Sequence, residues 1–371
     1  MASDRVLSVR DLNRALLARQ LLLQRSKLSI TKALERVGGI QAQYAPSSYI
    51  GLWSRLEGFE LIALTRALEQ RRVVQGTLLR STIHLVSAGD YWAFALGSRS
   101  ARQEAWLRFD KKRLSQKDME SAARAVRKAL ADRVEQRDEL LELARKRDPE
   151  RPTHLWNGLS AWIELVRAPP SGTWERRRAD LYALAEDWIG PPSVTPDDGA
   201  VLLLRRYLGA FGPGRLTDAA NWAGVAVAQL EPAAERLRLR RLRDEEGGEL
   251  VDLPRLPLPD GSTPAPVRFL PTWDATLLAH ARRTQILPEE YRPLVFDTKT
   301  PHSTPTFLVD GAVAGKWKIE RKRSKAILTL EPFAKLSAAA KREIEREGAR
   351  LVRFHEPDAE TYTVAGTGRS G

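Results

Sequence analysis

The chain has 371 residues, of which 43% are hydrophobic and ten are Trp, enough to bury a sizeable core in about two to four domains. Lys and Arg number 60 against 47 Asp and Glu, a formal net charge of +13, and no apolar run is long enough to cross a bilayer. With no Cys, disulfides and thiolate metal sites are excluded, and the absence of a secretory leader after Met1 makes a soluble, cytoplasmic protein the expectation. The five His residues (His84, His154, His280, His302 and His355) show no helical ligand spacing, so neither a metal nor another cofactor is expected. The charge points to a polyanionic partner, because Lys and Arg gain affinity for nucleic acid by releasing condensed counterions. Arginine-biased residue usage would give the same excess without such a partner.

In chain order, Ser8 with Asp11 three residues on predicts a capped helix start, carried forward by Leu12, Leu16, Arg19 and Leu23. Ser29 caps a second helix through Ala33, Leu34 and Val37, stopped by Gly38 and Gly39. A segment from Ser47 places Tyr49, Trp53 and Leu56 on one face, and Leu61, Leu64 and Leu68 mark a further helix. Residues 77–86, β-branched and apolar, read as a strand ended by Ser87 with Asp90 three residues on. Helices followed by a short sheet outline a first winged-helix module over 1–112.

The same element order recurs over 113–192, where helices precede apolar runs at 162–166 and 180–184 around a turn at Pro169, Pro170 and Gly172. It recurs again over 193–256: Thr217 caps a helix holding Trp222, Gly224 breaks it, and a second helix runs to Leu237. Runs at 239–243 and 249–253 then flank Gly247 and Gly248, a hairpin signal. Pro254, Pro257, Pro259, Pro264 and Pro266 mark a linker into a β-rich C-terminal domain, 257–371. Within it, Asp310 and Gly311 sit at the tip of a tight hairpin, 326–330 reads as a strand, 338–349 as a helix, and 366–371 as a frayed tail. The expected fold class is α+β, mainly helical, with three tandem winged-helix modules followed by the β-rich domain.

Particular segments carry a family likeness. Gly39-Ile40-Gln41-Ala42-Gln43-Tyr44-Ala45-Pro46, and Leu79-Arg80-Ser81-Thr82-Ile83-His84-Leu85-Val86-Ser87 ahead of Asp90-Tyr91-Trp92, resemble the AlkZ-like glycosylases of the winged-helix DNA-binding superfamily. Phe211-Gly212-Pro213 before Thr217-Asp218, Leu270-Pro271-Thr272-Trp273-Asp274, and Pro305-Thr306-Phe307-Leu308-Val309-Asp310-Gly311 fall in that family's order. The resemblance spans nearly the whole chain. Within the family it is similar to the branch of azinomycin-type self-resistance, which carries glutamine, a small apolar residue and glutamine where Gln41, Ala42 and Gln43 stand. A broader branch has aspartate at the position of Gln43. The resemblance implies a metal-free, monofunctional DNA glycosylase without lyase activity, its modules forming a concave DNA-binding face. It further implies action on cationic N7-alkylated purines, including bulky adducts and interstrand cross-links.

Taken by themselves, two glutamines two residues apart are more simply loop or sheet-edge amides bonded to backbone. The resemblance makes Gln41 and Gln43 the catalytic candidates. In an extended segment both side chains would leave on one side, with Ala42 on the other. Amides are not general bases at neutral pH, but they hold a water by donating and accepting hydrogen bonds. Alkylation at N7 of guanine places a positive charge on the base and makes the leaving group neutral, so aligning a water beside an oxocarbenium-like sugar suffices.

The DNA-binding candidates are Arg240 and Arg241 in a wing, and Lys316, Lys318, Arg321, Lys322 and Arg323 on the C-terminal hairpin. A solvated, intramolecularly paired face is the alternative for both clusters, and for the second the phosphate reading is favoured by the alternation that follows. Lys316 and Lys318 alternate with Trp317 and so leave one face of a strand. Trp53, Trp92 and Trp222 read as core, and His84 and Asp274 as buried structural residues at least as readily as catalytic ones. The expected partner is double-stranded DNA carrying alkylated purines, met by a monomer with no membrane and no obligate protein partner. The rivals are a non-enzymatic winged-helix regulator, which base release excludes, and a protein that sequesters the alkylator, which tight binding without DNA identifies.

Overall fold

The computed structural model describes residues 6–111, 113–178, 180–296 and 303–366; the first five residues, His302 and the tail after Gly366 lie outside them. β1 (Val6–Leu7) leads into α1 (Val9–Arg19), where Ser8 and Asp11 form the reciprocal capping box that the sequence predicts. α2 (Ile30–Val37) begins at the Ser29 cap and ends on left-handed Gly38. β2 (Ile40–Gln41), α3 (Ala45–Arg55) and α4 (Leu61–Glu69) follow.

The stretch 77–86 is not one strand. β3 (Val73–Thr77) and β4 (Ile83–Ser87) form a hairpin around a 3-10 turn at Leu79–Ser81. Leu78 and Leu79 are fully buried, so the chain turns inward there, and Arg80 and Ser81 reverse it with φ of 51° and 56°. Left-handed backbone at two residues with side chains costs on the order of 1 kcal/mol each, which surrounding contacts must offset.

Ser87 caps α5 (Ala88–Gly97), followed by α6 (Arg99–Phe109), α7 (Gln116–Leu130), β5 (Glu135–Gln136), α8 (Arg137–Arg147) and α9 (Pro152–Leu159). β6 (Leu165–Arg167) and β7 (Leu181–Leu184) flank the expected turn and lead to α10 (Ala185–Ile189). Next comes a long helix that the sequence reading lacks, α11 (Pro196–Phe211). Its signals are present: Thr195 accepts from the backbone of Asp198, Pro196 opens the first turn, and Leu203, Leu204, Tyr207, Leu208 and Phe211 recur at helical spacing.

α12 (Leu216–Ala223) is capped at Arg215 rather than Thr217, which lies in its first turn, and it ends on left-handed Gly224. α13 (Val227–Leu237) precedes the β8 (Arg240–Asp244) and β9 (Glu249–Asp252) hairpin. The C-terminal part contains β10 (Arg268–Leu270), α14 (Arg292–Val295), β11 (Thr306–Val309), β12 (Ala312–Lys322), β13 (Lys325–Pro332), α15 (Ala338–His355) and β14 (Thr361–Ala365). Asp310 and Gly311 join β11 to β12 with positive φ at both, as the hairpin signature requires.

Three sheets form among the described residues, and two of them join segments distant in sequence. The order β2-β4-β3-β6-β7-β5 makes one six-stranded sheet from 40–87 and 135–184. β1 pairs in parallel with β8, and β10-β11-β12-β13-β14 makes the third sheet. The largest apolar cluster is likewise shared, taking Leu16, Phe94, Val166, Leu204, Trp222 and Leu308 into one core. α5 and α11 touch backbone to backbone at Gly97 and Gly199: a Cβ on Gly97 would lie 2.7 Å from the carbonyl carbon of Gly199. The fold is mixed α and β, with helix predominant.

Buried ion pairs fasten the parts. Arg19 meets both carboxylate oxygens of Asp252 at 2.7 and 2.9 Å with neither side chain exposed. Arg55 does the same with Asp274 at 2.9 and 2.8 Å, and also donates to Gln20 and to the Gly51 carbonyl. Asp274, one of the residues in the family-like segments, is thereby committed to structure. Removing one member of such a pair strands the other charge in the interior, so Asp274→Ala should cost about 3–5 kcal/mol in urea denaturation, against under about 1 kcal/mol for the exposed pair partner Glu249→Ala.

Candidate active site

Gln41 closes β2 opposite His84 on β4. Its side chain is almost buried, and its Oε1 accepts from Nη2 of Arg80 at 3.2 Å. Arginine has only donors, so the amide atom facing it is oxygen, and Nε2 is turned the other way. Among the described residues Nε2 has no hydrogen-bond partner. The same guanidinium donates through Nη1 to the Trp222 carbonyl at the end of α12. Gly224 permits this approach: a Cβ there would lie 2.9 Å from Cγ of Arg80 and 3.0 Å from its backbone nitrogen. Arg80 belongs to a family-like segment, but nothing in the sequence pairs it with Gln41.

His84 lies in the same layer. Its Nδ1 is 3.1 Å from the Thr82 carbonyl, which places the ring proton on that nitrogen. Burial, with the Arg80 charge beside it, pushes the imidazole pKa down to about 3, so the ring is neutral at neutral pH and holds no acidic proton for a leaving base. Trp53, Trp92 and Trp222 are all in the core, as their helix faces suggested.

Beyond β2 the chain leaves the strand, and Gln43 is exposed where Gln41 is buried. Gln43 faces a cavity of about 370 Å3 between the two halves of the six-stranded sheet, with Thr77, Ser81, Trp156 and Tyr182 in its wall. No carboxylate lines this cavity among the described residues. The next residue, Tyr44, opens onto a second cavity of about 490 Å3 shared with Lys316 and Lys318 of β12, and its hydroxyl accepts from Arg177 at 3.1 Å. The fold thus brings the two hairpin lysines beside the residue that follows Gln43. As the alternation predicts, both leave the strand opposite buried Trp317.

The other basic candidates are placed differently. Lys316 pairs with Glu331 at 3.0 Å, Lys318 with Glu320 at 3.2 Å and Arg321 with Glu356 at 3.3 Å. Lys322 and Arg323 form the exposed β12–β13 turn and have no ion pair among the described residues. On the separate β8–β9 hairpin, Arg240 turns inward to the fully buried Asp252 and to the Leu256 carbonyl, while Arg241 pairs with Glu249 on the surface.

The described residues contain no cluster of three or more His, Asp or Glu with metal-binding geometry and no helix long and apolar enough to cross a membrane. The site consists of two amides of unlike exposure, a guanidinium that orients one of them, and a neutral imidazole. Such a set can position a water and stabilise nearby charge.

Residues 34–354 match the family model described as DNA glycosylase AlkZ-like. The chain belongs to this family of DNA glycosylases. An interstrand DNA cross-link repair glycosylase of Streptomyces sahachiroi is 22% identical over 360 residues, covering 90% of this chain and 93% of that protein. The solved structure of Streptomyces sahachiroi DNA glycosylase AlkZ shares the fold with a TM-score of 0.79 at 20% identity, over 97% of this chain and 100% of that one.

The depressed pKa of His84 has a consequence for stability. The unfolded chain takes up this proton near the ordinary histidine value of 6.5, whereas the folded chain resists it until about 3, so His84 lowers stability as pH falls through that interval. His84→Gln should therefore flatten the decline in melting temperature between pH of about 6.5 and 4. An unchanged slope would mean that the folded imidazole titrates normally.

Proposed function

We propose that this protein is a monofunctional glycosylase that hydrolyses the N-glycosidic bond of cationic N7-alkylated purines in double-stranded DNA, including bulky adducts and interstrand cross-links. The observation that carries the reading is the set of amides: the Gln41 oxygen is held by Arg80, and Gln43 faces a cavity that no carboxylate lines among the described residues. A site of this kind lacks the general acid that a neutral purine needs, so the substrate must bring its own positive charge. The relative from Streptomyces sahachiroi is named for cross-link repair, which supports the bulkier end of this range.

In the proposed step Gln41 and Gln43 hold a water against C1′ of the damaged nucleotide. The bond from C1′ to N9 breaks as the water oxygen bonds to C1′, the electron pair leaves with the base and neutralises its charge, and the water proton passes to solvent. No lysine Schiff base is involved, so borohydride should trap no protein–DNA adduct. We read the three helix-and-hairpin segments, 1–112, 113–192 and 193–256, as winged-helix modules that form a concave face for the duplex with the C-terminal domain, 257–371. Lys316, Lys318, Arg321, Lys322 and Arg323 meet its phosphates, with Arg241 as a further contact, while Arg240 is committed to Asp252.

On an oligonucleotide with one N7-alkylguanine, the protein should release free base and leave an alkali-labile abasic site. Gln41→Ala and Gln43→Ala should each lower the single-turnover rate about tenfold or more without loss of folding or DNA binding, because aligning one water carries over about 1 kcal/mol of barrier. Wild-type rates in either variant would remove that residue from catalysis. In a substrate panel, N7-methylguanine, a bulky N7 adduct and an N7-linked cross-link should be processed, while efficient excision of uracil or hypoxanthine would overturn the charge-driven mechanism.

Lys316→Ala combined with Lys318→Ala should weaken DNA binding and reduce the salt slope by about one unit for each phosphate that is no longer neutralised. An unchanged slope returns both lysines to their partners Glu331 and Glu320.

A further inference from the structure

The cavity beside Gln43 contains a buried charge with no carboxylate partner among the described residues. Arg167, at the end of β6, is 7% exposed, and its Nε and Nη1 have no hydrogen-bond partner among the described residues. Nη2 reaches the Thr77 hydroxyl at 3.4 Å, and the guanidinium carbon lies 5.5 Å from the Tyr182 ring centre. Burial pushes its pKa down, the side chains of Tyr182, also a hydrogen-bond partner, and of Tyr91 oppose this, and no carboxylate does.

Three arginines buried more deeply still are provided for. Arg19 faces Asp252, Arg55 faces Asp274, and Arg102 donates to the carbonyls of Thr77, Ala95 and Ser160. Arg137 lines the same cavity at its more open side, and the carboxylate nearest to it is the exposed Asp138 at 3.9 Å. The side chains of Asn157 and Ser81 add further donors to the wall, while the Ser160 hydroxyl donates to the Asn157 carbonyl. A cationic, donor-rich cavity without an acid is matched by an anion, and a guanidinium's planar fork fits phosphate oxygens in particular.

We propose that this cavity receives a phosphate of the lesion-bearing DNA strand, held by Arg167 and Arg137 next to Gln43. The inference rests on the glycosylase reading, in which Gln43 faces the reacting sugar. Every internal deoxyribose is flanked by phosphates, so a phosphate fixed here sets the distance between the adjacent C1′ and the Gln43 amide without any contact to the base. Arg167 is then a positioning residue, and the grip is independent of sequence and of adduct size.

The test uses the full-length protein and duplexes in which a tetrahydrofuran abasic analogue replaces the lesion, so that binding is read apart from chemistry. Phosphates flanking the analogue are replaced one at a time by neutral methylphosphonates, and affinity is measured by fluorescence anisotropy for wild type, Arg167→Met and Arg137→Gln. Because Arg167→Met removes a buried group, Arg137→Gln at the open side is read beside it, with circular dichroism on both.

At one flanking position the replacement should weaken wild-type binding about tenfold, yet cost either variant less than about twofold. Equal losses in all three proteins at every position, or no sensitive position in wild type, would overturn the proposal. So would inorganic phosphate raising the melting temperature of DNA-free wild type, and not of Arg167→Met, while no methylphosphonate position couples: the cavity would then serve free phosphate. Coupling without base release sinks the glycosylase reading alone, and base release without coupling sinks this one alone.

Discussion

The Arg80 guanidinium, held between the Trp222 carbonyl and the Gln41 amide, ties the proposed reaction centre to the fold behind it. It can sit there only because the β3–β4 turn takes left-handed backbone at Arg80 and Ser81, and because Gly224 leaves room for the arginine stem. Helix end, sheet edge and amide therefore depend on one another. A donor-only group at one end of Gln41 fixes which atom the other end presents, an N–H that can donate to a water oxygen. The strained turn is maintained by burial of Leu78 and Leu79 and by the two hydrogen bonds of the guanidinium, so strain sits next to the proposed reaction centre.

The excess of basic residues has a second use besides attracting a polyanion. Arg14, Arg19, Arg55 and Arg102 are almost completely buried, and they bind carboxylates or backbone carbonyls from distant segments. Arginine suits this work because five donors on a planar fork can satisfy several carbonyls at once. The charge without an internal partner is accordingly smaller than the total of +13 suggests, and it includes Lys322 and Arg323, which have no ion pair among the described residues. Arg240 illustrates the difference: next to Arg241 in sequence, it points to a buried aspartate while its neighbour points to water.

Sharing of sheets and cores has a mechanical consequence. The strands of 40–87 and 135–184 form one sheet, α5 and α11 meet at glycine with no side chain between them, and β1 completes the β8–β9 hairpin. Gln43 sits over the join between the two halves of the six-stranded sheet, so the cavity it faces has walls from both. Sites built between rigid elements hold their geometry better than sites on free loops.

Local signals determined much of this protein. Ser8 with Asp11, Ser29 before Gly38, Ser87 before Asp90, and Asp310 with Gly311 each act through hydrogen bonds or dihedral preferences within a few residues, and each marks its element in the chain as it does in the structure. The family-like segments carried the family, and with it the glutamine pair. What the sequence left open is long-range: the parallel pairing of β1 with β8, the partner of Gln41, the inward turn of Arg240 and the burial of Arg167 with no carboxylate beside it among the described residues. The stretch 77–86 shows why, since its residues favour a strand and only the burial of Leu78 and Leu79 against distant helices breaks it in two. Exposure divides the two glutamines for the same reason. Neighbours in sequence set backbone preference, but which amide is buried and which meets solvent is decided by residues tens to hundreds of positions away, brought close only when the chain folds.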